Sequence, residues 1–435
     1  MKNRMISIPF FLLRATTAGA ALVTGLLQTF VFAHVLSPHR FSVFILVAAI
    51  GYSLWLIDFG IVKILFVRLR ARFLDGDTSD EVAGHASAVV LFYFALVVSG
   101  SLACFAVMAT GADVSWRESA EFGLFFLFVA LNLVWFALRN IAIAVDEYVL
   151  FEALETTRRA GYFVGLAALY FGLPLSVMLV ALNALWAGVL VVCVKRMIAR
   201  GALNPHIGGS AARLLAFFRA NRKALIHSGT MAASDIYIYN YPYLIVPTLF
   251  GLGAPPIILD TTFKVFRGGA MMFGAVCDIL VPRQTSALAE RDGPTLVRAT
   301  LTAAALCCVP ATLGCAVLLL GADRLFAFLL GGAATMPPQT TPILVVLIFA
   351  NLTQMVCASV LVHNGYFKDV ARLGVCVAVA MTLVGGYALF AQLDIVRFLQ
   401  AYAAVYACGA VGAVALMVRG PFRLAHEPAA MPATR

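Results

Sequence analysis

"SDIYIYNYPYLIVP", residues 234–247, places Tyr237, Tyr239, Tyr241 and Tyr243 at every second position. That is the period of a β-strand. The composition of the chain decides against a strand. Of its 435 residues, 62% are hydrophobic and only 12% charged, whereas a soluble domain is roughly half apolar and about a quarter charged. No compact soluble fold buries that much apolar surface, so the solvent must be lipid. In lipid a lone strand leaves its backbone groups unpaired, and only helices or closed barrels cross. Barrel strands alternate over about 10 residues, but the apolar runs here are continuous over roughly 20 or more. The stretch therefore reads as helix, and the chain as an all-α polytopic membrane protein. On a helix the alternation splits: Asp235, Tyr239 and Tyr243 fall within about 80° of one another, while Tyr237 and Tyr241 lie on another side. Pro242 removes the backbone bond to the carbonyl of Ile238, which predicts a bend or break there. An aromatic belt at the outer interface would suit Tyr243, and a helix contact Tyr241.

About twelve spans follow from the apolar runs, each near the 20 residues a crossing needs. They cover roughly 8–36, 41–66, 85–110, 121–145, 156–173, 175–197, 223–250, 254–281, 297–320, 338–363, 369–391 and 397–419. Basic residues alternate between the connections. One side carries Lys2, Arg4, Arg68, Arg70, Arg72, Arg158, Arg159, Lys195, Arg196, Arg200, Arg213, Arg283, Lys368 and Arg419, among others. The other carries little beyond Arg40, Arg117, Arg324 and Arg397. The positive-inside rule then places both termini in the cytoplasm. The net charge of +10 is on this reading a rim facing anionic lipid and not a nucleic-acid surface. The first apolar run is too long for a signal-peptide core and lacks a cleavage site, so it reads as a span. The nine cysteines sit in apolar runs without CxxC spacing or neighbouring histidines, which argues against metal and disulfide chemistry. No Walker A or HExxH sequence occurs. The outer connections are mostly too short to hold a glycan acceptor, and neither an enzyme nor a cofactor is expected.

The longest cytoplasmic connection, roughly 198–222, contains a short amphipathic stretch (Leu214, Leu215, Phe217, Phe218) expected to lie in the membrane interface. It divides the chain into residues 1–205, with spans 1–6, and 206–435, with spans 7–12. The first span of each half carries a polar or small-residue stripe. These are Arg14, Ala18, Ala21, Gly25 and Gln28 in one, and Ser228, Ala232, Asp235, Tyr239 and Pro242 in the other. Equal increments and equal span counts support a duplicated transporter with its substrate between parallel halves.

Several segments resemble polysaccharide flippases of the multidrug/oligosaccharidyl-lipid/polysaccharide (MATE-like) exporter superfamily. "VLSPHRFSVFILVAAIGYSLWLIDFGI" resembles the first hairpin, with Ser42 near a usual Gly and Asp58–Ile61 at a later Asp-Leu-Gly-Leu. "YLIVPTLFGLGAPP", "ILVPRQTSALAERDG" and "VHNGYFKDVARLG" resemble the seventh span, the end of the eighth and the tenth-to-eleventh connection. The resemblance implies two six-helix lobes rocking around a central cavity. It implies a lipid-linked oligosaccharide cargo for exopolysaccharide, O-antigen or a similar glycan, moved across a bacterial inner membrane. A polysaccharide polymerase and glycosyltransferases would then be its working partners.

Ionisable side chains within spans line a cavity or pair, because leaving them in hydrocarbon costs a few kcal/mol. Candidates for the substrate are Arg14, Gln28, Lys264, Arg267 and Tyr239; Asp235, Asp58 and Asp278 are candidate coupling or structural acids. Lys63 and Arg139 lie near span ends and can snorkel. Lys264 stands four residues after Asp260, a spacing that lets the pair neutralise. Arg267 has Phe263 at that position, and Gly268 and Gly269 follow it. A guanidinium binds a pyrophosphate or sugar carboxylate bidentately, and a tyrosine ring stacks on sugar. Asp58 is expected to pair with a nearby cation, and Asp278 with Arg283. Two alternatives stand beside the flippase reading: a cation-coupled multidrug exporter, for which Asp235 speaks, and a non-transporting membrane scaffold.

Overall fold

The computed structural model describes residues 8–75, 80–111, 114–205 and 210–426. They form helices joined by short turns, with no strand among the described residues. In chain order these are α1 (Ile8–Val35), α2 (Pro38–Ser53), α3 (Ile61–Asp75), α4 (Asp80–Ala109), α5 (Trp116–Ala144), α6 (Tyr148–Tyr170) and α7 (Leu175–Ala199). There follow α8 (Ser210–Phe250), α9 (Ala254–Ala289), α10 (Gly293–Leu330), α11 (Thr340–His363), α12 (Phe367–Phe390), α13 (Ile395–Met417) and the short α14 (Arg423–His426). Counting α2 and α3 as one broken span and leaving α14 aside gives twelve membrane helices among the described residues.

Helix starts are set by local chemistry. The Ser37 hydroxyl accepts from Arg40 N, with Pro38 in the first turn. Ser115 and Glu118 form a reciprocal capping box at α5. The carboxylates of Asp292 and Asp394 accept from Thr295 N at 3.0 Å and Arg397 N at 2.8 Å. Each cap satisfies backbone donors that the first helical turn leaves open.

Among the described residues, eight helices are long and apolar enough to cross a membrane by composition alone. Helices α1, α6, α8 and α9 are not among them; α1 contributes the shorter apolar run Leu22–Val35. Two features depart from the hydropathy reading. The second span is interrupted: a 3₁₀ turn, Leu54–Asp58, leads to Phe59 (φ 39°) and Gly60 (φ 73°) before α3 begins. Two successive left-handed residues end one helix and restart another, and glycine takes that conformation without strain. The amphipathic stretch near 214–218 is continuous with the seventh span. It forms the first turns of α8, with Phe217 fully buried against His85 (ring centroids 5.6 Å) and beneath the Arg68 guanidinium (5.8 Å). Burying that ring against α3 and α4 favours one continuous helix of 41 residues. It runs through Pro242 and Pro247 up to Phe250.

The chain packs into two compact units. One comprises Leu27–Thr248 and Leu252–Ile257; the other comprises Met1–Leu26, Leu249–Gly251 and Ile258–Arg435. In the first, α8 lies along α2: Asn240 Nδ2 reaches Ala49 O at 3.4 Å and Ser53 Oγ at 3.3 Å. Gly253 N donates to the buried Ser42 Oγ at 2.9 Å. Aromatic rings fill the core between α1, α2 and α5, where Phe32, Phe44 and Phe125 meet at centroid distances of 5.0–6.0 Å. In the second unit α9 packs on α13 through Phe263 against Tyr402 and Phe266 against Tyr406, each at 5.1 Å.

Candidate functional site

The α9 helix carries the densest charge of the second unit. Asp260, Lys264, Arg267 and Gly268 share an arc of about 100° around its axis. The aromatic ladder to α13 occupies the neighbouring arc. Lys264 Nζ lies 2.7 Å from Asp260 Oδ2, the ion pair that the i,i+4 spacing predicts. Asp260 is buried and the Lys264 side chain is 18% exposed. The half-buried Arg267 extends its guanidinium over the Phe263 ring, 5.9 Å from the centroid. A guanidinium on an aromatic face is held by the ring quadrupole. Below Arg267, Gly268 admits Leu22 of α1: a Cβ at Gly268 would stand 2.2 Å from Leu22 Cδ1. The first helix thus approaches α9 closely at Gly268. Arg14 belongs to the same helix, but its side chain lies outside the described residues. Asp278 and Arg283 are both exposed farther along α9.

The first unit holds the other candidates. Asp235 is exposed in the middle of α8, and Tyr239, one turn on, is half-buried. Lys63, exposed on α3, is the cation whose field reaches both Asp235 and Asp58. Gln28 is half-buried on α1. Tyr237 and Tyr241 stack on each other at 5.1 Å. Tyr243 is only 5% exposed, so it belongs to the packed core and not to an aromatic belt.

Asp58 takes a different role from the one its sequence neighbours suggest. Its Oδ1 accepts from the Tyr93 hydroxyl at 2.7 Å and from Val62 N at 3.1 Å. Oδ2 accepts from Gly60 N at 3.1 Å. These bonds satisfy the open backbone donors where α3 restarts. The expected cation pair gives way to a capping carboxylate because the chain breaks at Phe59, and fresh N–H groups then point at the acid. Tyr93, fully buried on α4, is a partner the sequence reading missed; a hydroxyl deep in an apolar span was its signal.

A second cluster also went unread. Glu155 of α6 accepts from Trp135 Nε1 at 2.8 Å and from Arg158 Nε and Nη2 at 2.9 and 2.8 Å. Arg159 Nε lies 2.6 Å from it, and the Arg158 guanidinium stands 4.6 Å from the Trp186 ring. Four charge-assisted contacts on one buried carboxylate pin α5, α6 and α7 together. At the Arg-rich end, Glu147 is held by Arg196 (3.0 Å) and by Arg200. Burial raises the Glu147 pKa, but these two guanidiniums outweigh it and leave the carboxyl below its ordinary range. Arg40, Arg117, Glu118 and Glu121 form a third network at the opposite end of the helices.

No family model and no curated protein matches the sequence. Solved structures do match the fold. An inward-facing multidrug resistance MATE family transporter of the MOP superfamily aligns over 94% of both chains, with TM-score 0.63 and 13% identity. A eukaryotic MATE transporter, AtDTX14, aligns over 95% of both with TM-score 0.56 and 12% identity. A MOP superfamily transporter from Pyrococcus furiosus aligns over 95% of this chain and 94% of its own, with TM-score 0.58 and 11% identity. Its description reports a reversed polarity of the binding pocket that suggests a different function. Across nearly its whole length, the chain has the fold of the MATE-type membrane transporters.

Proposed function

We propose that the chain is a flippase carrying a lipid-linked anionic saccharide, such as a polyprenyl-pyrophosphate oligosaccharide, from the cytoplasmic to the outer leaflet by alternating access. The Arg-rich ends face the cytoplasm on this reading, and residues 1–205 and 206–435 are its duplicated halves. The observation that carries it is Arg267. Asp260 already stands 2.7 Å from Lys264, while the Arg267 guanidinium rests on an aromatic ring one turn on. A guanidinium at mid-helix, with a second cation one turn away, suits a phosphate-bearing cargo. It is unsuited to a cationic drug. Arg14 and Gln28 are proposed as further cargo-binding residues, and Tyr239 as a ring for a sugar face. Asp278 is assigned no contact with the cargo. The reversed pocket polarity described for the Pyrococcus protein supports the view that pocket polarity varies within this fold.

One observation favours cation-coupled export as a second reading: Asp235 is exposed in the middle of α8. An acid that binds a proton or Na⁺ in one state biases the exchange between states. In the flippase reading it serves coupling, with Lys63 as its charged neighbour. Proteoliposomes separate the two. Wild type should flip a fluorescent polyprenyl-pyrophosphate glycan, and Arg267→Ala should lose that activity while remaining folded. Undiminished flipping by Arg267→Ala, or efflux of a cationic dye in place of flipping, would overturn the assignment.

A further inference from the structure

At the Arg-rich end of the first unit, the ends of α3 and α7 and the start of α4 enclose a cleft of about 390 Å³, a size within the roughly 300–1,000 Å³ typical of ligand sites. Its polar lining includes Arg72, Arg200 and Asp80; its apolar walls include Leu69, Ile198 and Leu203. Arg72 Nη1 donates to Gly201 O at 2.8 Å, which fixes the guanidinium in place. Its Nε is buried yet meets no acceptor among the described residues. Arg200 bonds Glu147 through its own Nε and still adds its charge to the cleft. Phe73 stands on the rim, 39% exposed.

We propose that this cleft binds the headgroup of a monoanionic phospholipid, of the phosphatidylglycerol type, from the adjoining leaflet. Each part of the lining matches one part of such a lipid. The oriented Arg72 guanidinium has a donor to offer a phosphodiester oxygen. Asp80 opposes a second negative charge and accepts from a headgroup hydroxyl. The apolar walls suit the glycerol and upper acyl segment. A soluble anion gains nothing from those walls. Basic pockets between helix ends recognise anionic headgroups elsewhere by the same chemistry. The site lies on residues to which the proposed transport route assigns no part, so it stands or falls independently of the cargo.

Native mass spectrometry of the detergent-purified full chain tests the proposal. Phosphatidylglycerol should be retained in preference to phosphatidylcholine. Arg72→Gln should weaken that retention roughly fivefold, the worth of one basic residue at an anionic surface. Phe73→Glu, which alters only the rim, should weaken it as well and decides the matter if Arg72→Gln fails to fold. Excess inorganic phosphate should leave the lipid bound. Equal retention of the two lipids, unchanged retention in the variants, or displacement by inorganic phosphate would each overturn the proposal.

Discussion

Removing the Tyr93 hydroxyl probes the break in the second span. Tyr93 is fully buried, and its 2.7 Å bond to Asp58 is one of three that the carboxylate accepts. A hydrogen bond to a charged acceptor contributes about 1.5–3 kcal/mol, and a neutral one about 1 kcal/mol. Tyr93→Phe should therefore destabilise by about 1–3 kcal/mol. Asp58→Ala should cost more, since it also strips Gly60 N and Val62 N of their acceptor. In the Asp58→Ala background the hydroxyl is already unpaired, so Tyr93→Phe should cost nothing or even stabilise. The coupling energy of the cycle should then be about 1–3 kcal/mol. Unfolding from bicelles by sodium dodecyl sulfate, followed by tryptophan fluorescence, measures all four corners. A cost below about 0.5 kcal/mol for Tyr93→Phe in wild type, or the same cost in both backgrounds, lies outside the range for a hydrogen-bonded pair. Either would refute the Tyr93–Asp58 bond as a stabilising contact.

Gly268→Ala should lower stability through its clash with Leu22, by about 1–3 kcal/mol for overpacking, and Leu22→Ala should restore it; a variant as stable as wild type removes that contact from the packing. Ser42→Ala leaves the Gly253 amide without its acceptor, and faster hydrogen–deuterium exchange at residues 250–256 is the expected result. Glu147 has a pKa lowered in the folded protein from the ordinary 4.5, so its contribution is present above that value and is lost as pH falls through the folded pKa. The difference in melting temperature between wild type and Glu147→Gln should accordingly shrink as the pH is lowered beneath 4.5, and a difference that grows there would reverse the sign of the argument.

Hydropathy placed most helix ends to within about five residues, but it began α6 and α8 too late and ended α3, α9 and α10 too early, each by eight residues or more. What it could not register was a change of backbone direction without a change of polarity. The apolar run resumes at once after Asp58 and Gly60, so the left-handed break at Phe59 and Gly60 is invisible to a running average. Ser210–Asn221 reads as a connection with an amphipathic stretch, and the structure joins it to the seventh span as one helix, with Phe217 buried. Charge pairs followed the same divide. Lys264 with Asp260 was legible because i and i+4 meet on any helix. The approach of Lys63 to Asp235 depends on where α8 packs, which no local pattern encodes. Asp58 was misjudged for the same reason: its partners Gly60 and Val62 are close in sequence, but only the broken helix turns their amides toward it.

The membership of α8 in the first compact unit bears on how the chain is made. Helices α2–α7 emerge from the ribosome before α8 exists, so Ala49, Ser53 and Ser42 wait for Asn240 and Gly253. Domains of large proteins commonly fold as they are synthesised. Here that order fails for a definite reason, because the first unit is incomplete until residue 257 has been inserted. A nascent chain arrested at residue 205 would hold six helices in the bilayer with the α2 flank bare, a natural target for membrane quality control. Chains cut between residues 205 and 210 and co-expressed should therefore reassemble in the membrane, while the first fragment alone should be degraded.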